Sequence, residues 1–209
     1  KEDISNFFPS ITQKVIHEVW AGFFNFPNDV SKILTELVTL NGVLVQGGKT
    51  SSFLCNLVLW ERESKLVTNL SEKGYQYTRY VDDISVSCAR NISKEEQSYI
   101  IGKIYGMLKS IGTTPNKKKH KIMSDGTRQE LHRVNLNTGN PTLPKKERAK
   151  IKAAVFQCEK SYKNSVTSPE YLKQFNSAVG RVNTLNRMHP AMGVKLKKRL
   201  LLIKPFSLN

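Results

Sequence analysis

Two segments of this sequence hold carboxylates where a reaction could use them. Asp3 opens DISNFFPSI, and Asp82 and Asp83 stand side by side in YVDD, flanked by β-forming residues. If both segments are neighbouring strands of one sheet, their acids converge at one edge. Hard cations such as Mg²⁺ take oxygen ligands and are commonly held by a few carboxylates plus substrate phosphates. Two such ions about 3.5–4 Å apart stabilise the attacking and the leaving oxygen of an in-line phosphoryl displacement. A plainer alternative exists. Asp also favours hairpin turns, because its side chain bonds nearby amides, so a DD pair alone does not separate a metal site from a solvated turn.

The elements that must carry these acids are partly legible. GYQYTRYVDDISVSC alternates as two short strands joined at the Asp pair. Apolar spacing at Ile11, Val15, Val19 and Trp20 predicts a first helix. A second is expected over 29–40 with Val30, Ile33, Leu34, Leu37 and Val38 buried, and one long helix with Phe53, Leu57, Trp60, Leu66 and Leu70 as core positions. Ser93 and Glu96 form a capping box before IIGKIYGMLKSIG, a helix expected to end at Gly112. KHKIMS and RQELHRVNL read as strands, with a hairpin turn at NTGNP. Helices are expected over roughly 144–163, from Ser168-Pro169, and after Pro190.

Charge divides the chain. The net charge is +16 over 209 residues. The first hundred residues hold 10 Lys/Arg against 12 Asp/Glu, the remainder 23 against 5. A neutral half bearing the acids and a strongly basic half point to a polyanionic partner, nucleic acid before an anionic membrane surface. Sequence-independent phosphate contacts suit PKKERAKIK and KLKKR, although any single lysine can simply face solvent. No stretch of 18 apolar residues spans a bilayer, and no signal peptide is visible. Cys55, Cys88 and Cys158 have no metal-ligand spacing and suit a reducing compartment.

Six segments in register resemble reverse transcriptases, the retron and phage-defence branch more than the retroviral one. They are DISNFFPSI, VQGGKTSSFLCNLVL, YVDD, PNKKKHKIM, RQELHRVNLN and GRVNTLNRMHP. The resemblance covers nearly the whole chain. It implies an α+β right-hand polymerase palm, an antiparallel sheet backed by helices over 1–140, followed by an α-helical thumb over 141–209. The fingers are expected upstream, because chemistry at position 3 rarely sits on a loose terminus. It further implies that Asp3, Asp82 and Asp83 bind two Mg²⁺ ions (Mn²⁺ being a substitute), with the Ile4 carbonyl as an added ligand. Phe8 falls on the steric gate against a ribose 2′-hydroxyl, while Phe7 is the better core candidate. Gln46 and Gly47 fall on contacts to the incoming nucleotide, where glycine lets backbone approach closely. Lys119 falls on a lysine acting at the triphosphate. Tyr80, Arg133, Lys145, Lys146, Arg148, Lys150, Lys197 and Lys198 are the implied contacts to nucleic acid.

Departures are visible. Val45, Lys49 and Ser52 stand where the family has prolines, and His132-Arg133 where its primer-gripping strand has Thr-Gly. His17, His120 and His189 suggest no chemistry of their own. The expected activity is RNA-directed DNA polymerisation on an RNA template with a primer hybrid and dNTPs, in a bacterial cytoplasm and without a membrane. A cognate non-coding RNA and an effector protein are the expected partners of a retron or phage-defence system. Two other readings stay open: template-independent polymerisation by a related enzyme, and a catalytically silent nucleic-acid-binding scaffold.

Overall fold

The computed structural model of the protein describes residues 1–124, 126–132, 134–137, 139–163 and 168–205. They form two compact units, 1–122 and 123–209.

The first unit begins with β1 (Glu2–Ser5), a one-turn helix α1 (Phe7–Ser10), α2 (Gln13–Glu18) and a π-helical turn over Val19–Phe23. Helix α3 (Asn28–Val38), the ribbon β2 (Thr39–Leu40) and β3 (Val43–Leu44), and helices α4 (Ser51–Leu57) and α5 (Trp60–Glu72) follow. Then come β4 (Gln76–Tyr80), β5 (Asp83–Ser87), α6 (Lys94–Lys109), β6 (Thr114–Pro115) and a 3-10 turn over Lys117–Lys119. Strands β4, β5, β1 and β6 make one antiparallel sheet in that order. The first and last strands of the unit, β1 and β6, are therefore neighbours, with β6 at the edge of the sheet. Helices α5 and α6 pack on each other and reach β4 and β6 respectively. Ile4, Ile84, Leu70, Ile104 and Leu108 belong to the core so formed.

Helix α6 follows its capping signal: Ser93 Oγ accepts from Glu96 N, and Glu96 accepts from Ser93 N in return. Arg90 and Tyr75 donate to Glu96 as well, and these bonds, Arg90 first, hold its pKa down at about 2.

Helix α3 and the α4–α5 segment depart from their apolar periodicity. On α3 the buried side chains are Ser31 and Thr35, while Val30, Ile33 and Leu37 are exposed. The inward hydroxyls are satisfied locally, Thr35 by the Ser31 carbonyl at 2.7 Å and Ser31 by the Phe26 carbonyl at 3.3 Å. A small polar stripe lined by its own backbone can thus face inward where apolar periodicity predicts the opposite face. The single long helix is two, α4 and α5, parted at Val58 and Leu59, both buried. No Pro or Gly marks the break. Arg79 instead donates to the carbonyls of Cys55 and Asn56 just before it, and a side chain inserted at the ladder is a recognised cause of such kinks. Phe53 and Trp60 consequently face outward, whereas Leu66 and Leu70 are buried.

The second unit holds a short hairpin, β7 (Glu130–Leu131) and β8 (Val134–Asn135), and helices α7 (Lys145–Tyr162), α8 (Pro169–Met188) and α9 (Pro190–Leu201). KHKIMS is not a strand. An Asn135–Thr142 bridge brackets the NTGNP turn. Ser168 caps α8 by accepting from Tyr171 N at 3.1 Å. The three helices enclose their own core of Val155, Cys158, Tyr171, Val182, Leu185 and Leu196. Tyr171 OH donates to the Ile203 carbonyl at 2.5 Å, tying α8 to the end of α9. Burial of this kind is the main term holding such a bundle together.

Burial also sorts the thiols. Cys55 and Cys158 are fully enclosed, and desolvation pushes Cys55 up to about 12 and raises Cys158. Cys88 is half-buried. A maleimide at neutral pH should therefore modify Cys88 alone in the native protein and all three thiols in denaturant, counted by mass spectrometry. Rapid native labelling of Cys55 would contradict this packing.

Candidate active site

Strand register brings the acids together. Asp3 on β1 lies directly opposite Asp83 on β5, and Asp83 opposite Tyr80 on β4. Ile4 N donates to the Asp82 carbonyl at 2.8 Å, whereas the Asp3 carbonyl turns the other way and accepts from Asn116 N at 2.7 Å. The Asp3–Asp83 pair is therefore the narrow, non-hydrogen-bonded type, in which facing side chains come closest, Cα atoms about 4.5 Å apart. Directly opposed residues share a face, so Tyr80, Asp83 and Asp3 form a row across one side of the sheet. The alternate positions Arg79, Ile84, Glu2 and Ile4 point to the helix-backed side. Ile84, Glu2 and Ile4 are buried there.

Cations of the protein already sit on these oxygens. Lys119 Nζ donates to Asp3 Oδ2 at 2.8 Å, and Lys1 Nζ to Asp83 Oδ2 at 3.0 Å. The bond to Asp3 raises the Lys119 pKa, with the charges of Asp3, Asp82 and Asp83 acting in the same direction. Among the described residues no three His, Cys, Asp or Glu side chains form a ready-made metal cage. The donor set is carboxylate oxygen, with no thiolate or imidazole among the three acids, which suits Mg²⁺ or Mn²⁺ and not a soft metal.

Behind Asp3 the sheet is clamped a second time. The segment after β6 returns along β1, Lys121 N donating to the Lys1 carbonyl at 3.0 Å. Consecutive residues of that segment grip opposite faces: Lys119 holds Asp3, and His120 Nδ1 meets the buried Glu2 Oε1 at 2.5 Å. Tyr105 OH on α6 lies 3.4 Å from the other Glu2 oxygen. His120 accordingly has a structural partner.

The remaining predicted residues are spread more widely. Asn6 takes a left-handed conformation (φ 45, ψ 47) and ends β1, so Phe7 and Phe8 lie on α1 and not on a strand. Phe7 is 3% exposed; Phe8 is half-buried against the same core. Helix α1 packs on β3, whose end leads into exposed Gln46 and Gly47. Gly47 has φ +87, which explains glycine there. Tyr80 is 69% exposed beside Asp83. In the second unit Lys145, Lys146 and Lys150 on α7 and Lys197 and Lys198 on α9 are exposed, Lys150 pairing with Glu147 at 2.7 Å. Arg148 is half-buried, and its Nε is enclosed without a hydrogen-bond partner. Arg133 lies outside the described residues.

Sequence reasoning missed Lys1, Glu2 and the Arg79–Glu63 pair. For Arg79 a signal existed: strand alternation puts Tyr77, Arg79 and Val81 on one face opposite Thr78 and Tyr80, so a charge was due to be buried and to need a partner.

The first unit is thus an antiparallel sheet backed by helices in which Asp3 and Asp83 face each other across a strand pair, and the second is largely helical. The chain is homologous, over nearly its whole length, to retron-type reverse transcriptases. It is 32% identical over 206 residues to the Retron Se72 reverse transcriptase of Salmonella heidelberg, covering 97% of this chain and 54% of that protein. It is 33% identical over 208 residues to the Retron Ec48 reverse transcriptase of Escherichia coli, covering 98% and 50%. The Retron Mx65 reverse transcriptase of Myxococcus xanthus is 28% identical over 174 residues, 75% of this chain and 40% of that protein. The chain spans about half the length of the first two. No protein-family model matches it. Among the described residues no helix is long and apolar enough to cross a membrane.

Proposed function

We propose that this chain is the palm and thumb of an RNA-directed DNA polymerase that extends a primer on an RNA template in the bacterial cytoplasm, within a retron or phage-defence system. The observation that carries the reading is the cross-strand pairing of Asp3 with Asp83 beside the Asp82 turn, in a chain homologous to retron reverse transcriptases. Asp3, Asp82, Asp83 and the Ile4 carbonyl are the groups to hold two Mg²⁺ ions. When bound, such ions supply charge neutralisation at the attacking and leaving oxygens of a nucleotidyl transfer.

The chain's own residues then have definite tasks. Lys119, already directed at the acids, is free to turn its ammonium to a triphosphate once Asp3 is otherwise engaged. Phe8 walls the sugar site, and Gln46 with Gly47 lines the base. Tyr80 borders the primer end. The functional division proposed, palm through 140 and thumb from 141, assigns the β7–β8 hairpin and Arg133 to gripping the primer, although that hairpin is compact with the second unit. The exposed lysines of α7 and α9 meet the phosphates of the hybrid duplex by shape and charge, not sequence. A cognate non-coding RNA and an effector protein are the partners that this reading expects.

Neutralising Lys145, Lys146, Arg148 and Lys150 together should weaken hybrid-duplex binding and flatten its salt dependence. The slope of log K against log salt should fall by roughly 0.7–0.9 for each phosphate that these side chains no longer neutralise. An unchanged slope would mean that this face of α7 does not meet nucleic acid.

Primer extension by the complete protein with an RNA template, Mg²⁺ and dNTPs tests the whole reading. The expected product is cDNA complementary to the template. Product that ignores the template's sequence would favour template-independent polymerisation, and no product under any condition a nucleic-acid-binding scaffold.

A further inference from the structure

Between Tyr80 and Asp83 the chain reverses through two residues, Val81 and Asp82. Val81 has φ +54, whereas Asp82 is not among the positive-φ residues. That is the pattern of a type II′ hairpin turn, whose first central position normally takes Gly. A β-branched residue there is an outlier. Such conformations persist where the surrounding structure over-determines them.

Two hydrogen bonds do so here. Ile4 N holds the Asp82 carbonyl at 2.8 Å, and Arg79 Nη1 holds the Val81 carbonyl at 3.1 Å. Arg79 is itself immobilised. Its Nε and Nη2 fork onto the two Glu63 oxygens, each at 2.6 Å. Nη1 and Nη2 also reach the Cys55 and Asn56 carbonyls at 3.2 and 3.0 Å, at the C-terminal end of α4. Tyr77 OH donates to Glu63 Oε1 at 2.7 Å and orients the acceptor. The side chains of Arg79 and Glu63 are only 6% and 17% exposed. Burial works against the Arg79 charge, yet the Glu63 bonds outweigh it and its pKa is raised.

We propose that Arg79 is a positioning residue for the acid edge: a guanidinium bracket, anchored on Glu63 and the end of α4, that holds the Val81–Asp82 turn in its disfavoured conformation and so sets where Asp82 and Asp83 present their carboxylates. The proposal rests on the reading of these acids as a divalent-cation site. Arg79 touches neither substrate nor ion in it. Lysine cannot replace it, because one ammonium cannot fork Glu63 and serve three carbonyls together.

A bracket and a mere staple between strand and helices differ in one respect. If Arg79 acts through the turn, relaxing the turn compensates for its loss. Gly adopts positive φ without penalty, so Val81→Gly is the relaxing change. Mn²⁺ affinity by electron paramagnetic resonance and thermal midpoint are measured for the protein, Arg79→Lys, Val81→Gly and their combination, with Asp83→Asn as control. Arg79→Lys should weaken Mn²⁺ binding by about 10–100-fold, the range for residues that orient ligands. The double variant should regain most of the affinity while its thermal midpoint stays low. Arg79→Lys that melts early but binds Mn²⁺ normally overturns the proposal, as does a double variant no better than Arg79→Lys. Should Arg79→Lys not fold, Tyr77→Phe, which loosens only the Glu63 anchor, is compared with and without Val81→Gly, and the same pattern is required. If the unaltered protein binds no Mn²⁺, or Asp83→Asn binds it equally well, the metal-site reading itself fails and the bracket has nothing to position.

Discussion

Asp83→Asn should leave the protein folded and remove its primer extension by on the order of a thousandfold, equivalent to about 4 kcal/mol of transition-state stabilisation. The amide keeps the size of the carboxylate and loses its charge. Several kcal/mol of charge stabilisation are lost when one carboxylate of a shared divalent-ion site becomes neutral. The fold has much less at stake. The Asp83–Lys1 pair is half-buried, both side chains being 20% exposed, and the amide keeps an acceptor oxygen for the ammonium, so its weakening costs on the order of 1 kcal/mol. Neutralising one of three neighbouring acids also relieves its like-charge repulsion with the other two. Thermal midpoint and primer-extension rate on the same preparation separate the two effects. Activity within tenfold of the unaltered protein would remove Asp83 from the chemistry.

Phe8→Ala should let ribonucleotides compete, raising their kcat/KM relative to deoxynucleotides by roughly 10–100-fold, the scale on which pocket shape discriminates. The structural reason is rigidity. Asn6 ends β1 abruptly, and the next turn of helix fixes Phe8 half-buried against the core, edge-on to Phe7 with ring centroids 6.3 Å apart. A wall so held cannot swing aside for a 2′-hydroxyl. Truncation of a half-buried ring costs less stability than the roughly 3–5 kcal/mol of a fully buried one, so sugar selectivity is measurable on folded protein. Unchanged selectivity would return Phe8 to a packing role.

How much of this is legible in the sequence depends on the range of the interaction. The capping box at Ser93 and Glu96, the Ser168-Pro169 helix start and the strands around YVDD are local devices, and each stands where its residues predict. The acid edge is legible because strand alternation is local too, once β1 and β5 are neighbours; that adjacency is what the register supplies. The α3 face runs against its apolar periodicity because Ser31 and Thr35 bond their own backbone, which makes a polar stripe cheap to bury. The break between α4 and α5 is invisible in sequence because Arg79, some twenty residues later, takes the carbonyls there. Lys1 and His120 gain partners only where opposite ends of the first unit meet across β1.

The proposed metal site depends on cooperation between two acids 80 residues apart in sequence that face each other across a strand pair. Titration of Mn²⁺ into the protein and into Asp3→Asn, Asp83→Asn and their combination tests it most directly. One shared site predicts that either single change abolishes most binding and that the double change adds little further loss. Singles that each bind as the unaltered protein does, or losses that simply sum, would mean that Asp3 and Asp83 never hold a common ion.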